Sequence, residues 1–337
     1  MNEVQLFLGN IWFFIIGLIL VLYVVLDGFD LGVGILSLLA RDEERRGTMM
    51  ASLGSVWDAN ETWLVVLGGA LFGAFPLVYA LALHALYIPI TLMIFGLIFR
   101  GVAFEFHEHA RRKAPWGVAF GAGSLIAATM QGLALGGIIS GIRVVNGEFA
   151  GGIWDWLNPF ALLVAAGVVS GYTLLGATYL VIKTRGELQA RSYRRARFAA
   201  WSMLVAAAGV TLWTPLQYAQ VAERWFSMPT MFYIGPLPLA ATGAFVMLLR
   251  SLARRRERAP FVWSLAIFLL SFAGLAISLY PMLLPPGVAI ADAAASAKTL
   301  VFMLTGIGML LPVMMIYNGY QYLVFRGKVE DSGYGRE

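Results

Sequence analysis

Residues 8–27 read LGNIWFFIIGLILVLYVVLD, twenty positions whose only charge is the carboxyl of Asp27 at the end. A run of that length and apolarity crosses a hydrocarbon core of about 30 Å as an α-helix. Eight further runs of similar character follow, at 56–75, 78–99, 117–141, 158–182, 198–220, 230–249, 261–281 and 299–325. Only Glu3 carries charge ahead of the first run, and no small-residue cleavage pattern ends it, so it reads as a retained span and not a removed signal. Composition agrees: 60% of the 337 residues are apolar and 13% charged, about half the charge of a typical soluble domain. A water-soluble fold is excluded. The absence of cysteine excludes disulfides, thiolate zinc sites, cysteine-ligated iron–sulfur clusters and thiol nucleophiles. No phosphate-cradling Walker loop is present, so ATP drive is not indicated.

The basic residues sort into alternate connections. Twenty-one of the 24 lysines and arginines fall on one side, leaving Arg143, Arg224 and Lys298 opposite. By the positive-inside rule the N-terminus is outside and the C-terminus cytoplasmic, a parity that nine crossings satisfy. The expected fold is therefore all-α: one polytopic transmembrane domain over 1–337 with about nine helices. The longer outside connections divide it into four-helix sub-bundles at 8–141 and 158–281 and a final helix at 299–325. The arginine clusters read as topology anchors, not as nucleic-acid or lipid sites. Gly132/Gly136, Gly137/Gly141 and Gly167/Gly171 form small-xxx-small faces that permit close helix approach.

Five acidic side chains crowd the inner ends of the first three spans. If the first helix begins near Trp12, Asp27 lies about 22 Å deep at 1.5 Å per residue, with Asp30 on the same face at i+3. The second span opens Trp57-Asp58-Ala59-Asn60-Glu61-Thr62-Trp63, placing Asp58 and Glu61 at the same depth, and Glu105 follows the third span beside Arg100. Carboxylates in a membrane are costly. Proton relay, cation coordination by hard oxygen ligands, and pairing with arginine or helix N-terminal amides are the three ways to offset that cost. Helix capping suits Asp58 and Glu61, which fall in a first turn; Asp27 and Asp30, late in their helix, lie against an unfavourable dipole.

Only three histidines exist. His107 and His109 fall in an inside loop, where solvation is expected, and His84 lies within the third span. A buried b-type haem needs axial His or His/Met ligands, and the fourteen methionines read as packing, so the chain is expected to serve a redox partner and to hold no haem itself. Trp57 and Trp63 flank the acidic turn, where tryptophan ordinarily anchors an interface.

Leu26-Asp27-Gly28-Phe29-Asp30-Leu31-Gly32-Val33-Gly34, the Trp57–Trp63 stretch, Gly68-Gly69-Ala70-Leu71-Phe72, Phe99-Arg100-Gly101-Val102-Ala103-Phe104-Glu105-Phe106, Leu157-Asn158-Pro159-Phe160 and Gly176-Ala177-Thr178-Tyr179-Leu180 occur in that order. In them the chain resembles subunit II of the cytochrome bd ubiquinol oxidases of bacterial inner membranes; its Phe-Arg-Gly segment is closer to the cyanide-insensitive branch. Two positions depart from the family pattern: Ala59 stands where glycine is common, and His107 where a basic residue follows Phe-Glu-Phe. The resemblance implies a heterodimer in which subunit I carries haems b558, b595 and d, oxidises quinol and reduces dioxygen to water, with a small accessory membrane subunit in some members. Subunit II is then a haem-free membrane wall supplying part of a proton route from the cytoplasm to an electrogenic, non-pumping oxidase. Carried over by residue, Asp58 is the proton-path candidate with Glu61 and Glu105 as further members. Asp27 and Asp30 are the acidic pair that binds a cation or takes part in uptake, and Trp57 is the contact for a structural quinone.

Two other readings share these cues. A secondary transporter would use the carboxylates for ion coupling and would show paired helix breaks near the midplane of two related halves, which the sequence does not display. A purely structural subunit would use Asp27 and Asp30 to hold one cation for assembly.

Overall fold

The computed structural model describes residues 2–54 and 56–329. Arg336, counted above among the inside positives, lies outside the described residues. Helix α1 runs Glu3–Ser37, α2 Glu43–Ala51, α3 Val56–Ala74, α4 Pro76–Ala85, α5 Tyr87–His109 and α6 Ala114–Ser140. After a hairpin of β1 (Val144–Val145) and β2 (Glu148–Phe149) come α7 Pro159–Lys183, α8 Gly186–Gln217, α9 Ala219–Phe226, α10 Thr230–Ile234, α11 Pro236–Ala253 and α12 Ala259–Leu279. A second hairpin, β3 (Met282–Leu284) and β4 (Val288–Ala289), precedes α13 (Ile290–Ala293) and α14 (Ala297–Val324). Among the described residues, eight stretches are long and apolar enough to cross a membrane: α1, α5, α6, α7, α8, the α10–α11 pair, α12 and α14. The chain is an all-α polytopic membrane protein.

The expected second span is α3, whose first two turns carry Asp58, Asn60 and Glu61 and so lower its apolarity. Three expected boundaries change. The third span is not one helix over 78–99: α4 stops at Leu86 and α5 starts anew, because Pro89 in its first turn has no N–H to continue the ladder of α4. Helix α5 then runs on to His109, so Glu105, His107 and His109 are helical and not in a loop. Helix α8 begins at Gly186, so Arg191, Arg194, Arg195 and Arg197 form its first turns instead of a connection. Helix α1 continues ten residues past Asp27. Asp27 and Asp30 are therefore interior to the helix, and the dipole penalty, which fades beyond the last turn, does not fall on them.

Local chemistry sets the helix starts. Asn2 caps α1 by accepting from the Gln5 amide, and Asn158 caps α7 by accepting from Ala161 with Pro159 at the first helical position. The Asn146-Gly147 turn between β1 and β2 has positive φ at both residues, the conformation a two-residue hairpin requires. Helices α1, α6 and α7 pack at the centre, where Phe29, Leu36, Phe120, Leu174 and Leu175 are buried. A Cβ on Gly32 would collide with the Tyr172 carbonyl, and one on Gly176 with the Gly32 backbone, so α1 and α7 meet backbone to backbone. The Gly132/Gly136 face behaves as expected, lying against Ala165 and Ala161 of α7.

Contacts at the two ends of the bundle show the alternation. At one end Arg45 of α2 pairs with Glu187 of α8, Arg195 donates to the Leu39 carbonyl, and Lys328 reaches Glu257 and the Thr184 carbonyl. At the other, Gln5 donates to the carbonyls of Ala294 and Ala295, Tyr280 to Asn10, and the Ala295 amide to the Ala74 carbonyl. The first is the basic end.

Candidate functional site

The acids sit toward the basic end between α1, α3 and α5. Arg100 of α5 is 1% exposed, and Asp27 of α1 is fully buried. Arg100 Nη1 donates to Asp27 Oδ1 at 2.6 Å, and Nη2 reaches Glu61 Oε2 of α3 at 3.4 Å. The Trp57 ring lies beneath the guanidinium, 5.9 Å from Cζ to its centroid, and is tilted against Phe104. A buried arginine requires anionic partners, and α1 and α3 provide one each.

One turn nearer the basic end on α1, Asp30 accepts from Asn60 Nδ2 at 2.8 Å, while the Tyr322 hydroxyl of α14 donates to Asn60 Oδ1 at 2.8 Å. Trp63, one turn along α3, donates its indole N–H to Asn318 Oδ1 of α14 at 3.1 Å. On the other side, Tyr172 of α7 donates to Gln131 Oε1 at 2.7 Å and Gln131 Nε2 to the Tyr23 oxygen at 2.6 Å. Asp27 Oδ2 and Asp30 Oδ1 are buried with no hydrogen-bond partner among the described residues.

The five sequence-derived acids thus separate into two groups. Asp27, Asp30 and Glu61 converge, but Asp58 and Glu105 are exposed. Glu105 does not complete the cluster beside Arg100: five residues on, it points about 140° away from a side chain that faces the interior. Asp58 opens α3 at the surface one turn from Glu61. Of the three ways to offset buried carboxylates, the geometry supplies arginine pairing for Asp27, and the described residues contain no group of three or more His, Asp and Glu able to hold a metal ion.

His107 is also corrected: it is buried, not solvated, with Nε2 2.8 Å from Glu43 Oε1, which ties α5 to α2. His109 and His84 are exposed. Sequence reasoning missed Arg100 as the hub, having counted it as an anchor, and missed Asn60, Gln131, Asn318 and Tyr322. The signal available for them was a lone polar side chain within an apolar run, which in a membrane must find a partner.

The family model of cytochrome bd terminal oxidase subunit II matches residues 8–325. Cytochrome bd-I ubiquinol oxidase subunit 2 of Escherichia coli (strain K12) is 31% identical, with 95% of this chain and 94% of that protein covered. Cytochrome bd ubiquinol oxidase subunit 2 of Bacillus subtilis (strain 168) is 28% identical, with 96% and 97% covered. In fold, the chain is similar to the bd oxidase from Geobacillus thermodenitrificans, with a TM-score of 0.77 at 19% identity over 94% of this chain and 98% of that one. The chain belongs to the cytochrome bd terminal oxidase subunit II family.

Proposed function

We propose that this chain is the haem-free wall of a bd-type quinol oxidase in a bacterial inner membrane, its basic end cytoplasmic, and that its acids deliver protons to the partner. Haems b558, b595 and d, held by subunit I, supply the quinol oxidation and dioxygen reduction. In this chain the surface carboxylate Asp58 collects protons, and Glu61, on the same helix at i+3 and half-buried, receives them. Arg100 holds Glu61 in place while Asp27 balances its remaining charge. Trp57, half-buried between Arg100 and Phe104, is the flat surface that a structural quinone would meet, and a small accessory membrane subunit belongs to the same assembly. The observation that carries the reading is the pairing of exposed Asp58 with a buried Arg100-centred cluster one turn deeper, in a chain matched along its length by the family. In the assembled oxidase, Asp58→Asn is expected to slow oxygen consumption by tenfold or more while leaving the haem spectra intact; unchanged consumption would sink the proton route.

A second reading draws on Asp27 Oδ2 and Asp30 Oδ1, both buried without a partner: the pair holds one cation that stabilises assembly. In that case Asp30→Asn in the same preparation loses haem from subunit I, whereas a relay role leaves haem content unchanged and lowers turnover.

A further inference from the structure

Arg100 occupies only one oxygen of Asp27: Nη1 donates to Oδ1, and Oδ2 is buried without a hydrogen-bond partner among the described residues. Tyr23 stands four residues earlier on the same face of α1. It is 3% exposed, and its hydroxyl lies beside the Asp27 carboxylate. What that hydroxyl does there is decided by two other helices. Tyr172 of α7 lays its ring over Gly28, where a Cβ would come within 2.8 Å of Cε1, and its hydroxyl donates to Gln131 Oε1 of α6 at 2.7 Å. The Gln131 amide in turn presents Nε2 to the Tyr23 oxygen at 2.6 Å.

This chain of donors has one direction. An amide carries its donors on nitrogen and its acceptor on oxygen, so a Gln131 that accepts from Tyr172 donates to Tyr23. The Tyr23 oxygen is then an acceptor, and its own proton must go to another group. The reversed amide would draw the Tyr23 proton onto Gln131 and leave Asp27 Oδ2 with no donor, a cost that buried polar groups in folded proteins avoid. The hydroxyl hydrogen of Tyr23 and Oδ2 of Asp27 are thus a donor and an acceptor that Gln131 and Arg100 leave unspent, one helical turn apart.

We propose that Tyr23 is a positioning residue: oriented by Gln131 and Tyr172, it donates to Asp27 Oδ2 and keeps that carboxylate as the fixed counter-ion of Arg100, leaving Glu61 as the acid that exchanges protons. The assignment rests on the reading of the acids as a proton route and divides the work between them. With the hydroxyl removed, Asp27 is no longer held on both oxygens. The guanidinium then turns its charge to Glu61, and a Glu61 bound as a permanent carboxylate takes up protons more slowly. The same hydrogen bond fills the acceptor position that a cation shared by Asp27 and Asp30 would need.

The test measures oxygen consumption by the assembled oxidase. Y23F is expected to lower kcat roughly tenfold, the worth of a hydrogen bond to a charged group, with KM for quinol and the haem spectra unchanged. Q131L should lower kcat in the same way and add nothing in the Y23F background, because it acts through the same hydroxyl. Y193F removes a hydroxyl that donates to the Arg255 carbonyl between α8 and α11, and should leave kcat where it is. Infrared difference spectra of the unsubstituted protein against Y23F isolate the phenol C–O stretch of Tyr23, which should report a hydroxyl that both accepts and donates, and one that only donates in Q131L. A Tyr23 that only accepts overturns the proposal, as do additive losses in Y23F/Q131L or full turnover in Y23F where D58N slows the enzyme. If Y23F does not assemble, Q131L carries the comparison, and full turnover in it overturns the proposal. Full turnover in both Y23F and D58N, with Tyr23 still donating, overturns the proton route and the positioning role with it, while the hydrogen bond stands.

Discussion

Arg100 brings a guanidinium into a part of the bundle that excludes water, and the arrangement of α1 and α3 around it follows from that charge. Its ion pair with Asp27 at 2.6 Å is buried on both sides. Replacing a buried pair by apolar groups can be neutral, but removing one member leaves an uncompensated charge costing about 3–5 kcal/mol. Asp27→Asn should therefore lower the thermal stability of the purified complex strongly, and Asp27→Asn combined with Arg100→Gln should recover much of the loss. If the double variant is as unstable as the sum of the two single ones, the pair is not the coupled unit described here. Glu61 at 3.4 Å is the looser partner, which fits a group that exchanges a proton better than one that only balances charge.

At the scale of elements, the meeting of α1 and α7 sets how near Asp27 comes to Tyr172 and how Asp30 faces α3. Gly32 and Gly176 bring the two backbones together, and any side chain at either position would meet backbone, which does not yield. Gly32→Ala should separate the helices and cost more than the 1–3 kcal/mol typical of overpacking, read as a fall in the melting temperature of the complex. Gly68→Ala, where no atom lies within 4 Å of the added carbon, should be neutral or gain slightly from helix propensity. Equal effects at the two sites would mean that α1 and α7 are not locked by backbone contact. The break at Leu86 is a second element-level device. It lets α5 start afresh at Tyr87 and run to His109, which carries His107 into contact with Glu43 on α2.

For the whole molecule, the basic end is tied together by polar contacts between segments distant in sequence. Lys328, beyond α14, reaches Glu257 between α11 and α12, and Gln189 of α8 donates to the same carboxylate. Hydrogen bonds from Lys328 and Gln189 hold the Glu257 carboxyl below the usual range. Because the folded value is depressed, the stabilisation is present above the unfolded pKa and is lost as pH falls through the folded one. Protection of residues 325–329 against hydrogen exchange, taken relative to the intrinsic rate at each pH, should accordingly be high at neutral pH and fall on acidification below the ordinary glutamate range. Glu257→Gln should lose that protection already at neutral pH; a segment with equal protection at both pH values would show that the latch holds nothing.

Much was determined by the sequence alone. Twenty-residue apolar runs, alternating arginine clusters and the carboxylates near Asp27 and Asp58 establish an all-α membrane bundle with acids toward its basic end, because a bilayer admits few other backbone solutions and charges dehydrated segments steeply. Helix ends were less legible: α5 and α8 extend past their apolar runs, since amphipathic turns at the surface continue a helix that hydropathy truncates. Only the tertiary structure decided which acids meet. Spacing at i+3 puts Asp58 beside Glu61 on α3, yet rotation of that helix against α1 and α5 half-buries Glu61 against Arg100 and leaves Asp58 exposed. The hub itself, Arg100, looked like one more basic residue at a membrane boundary. Its role depends on which way α5 turns, and that is set by packing among three helices that no single stretch of sequence encodes.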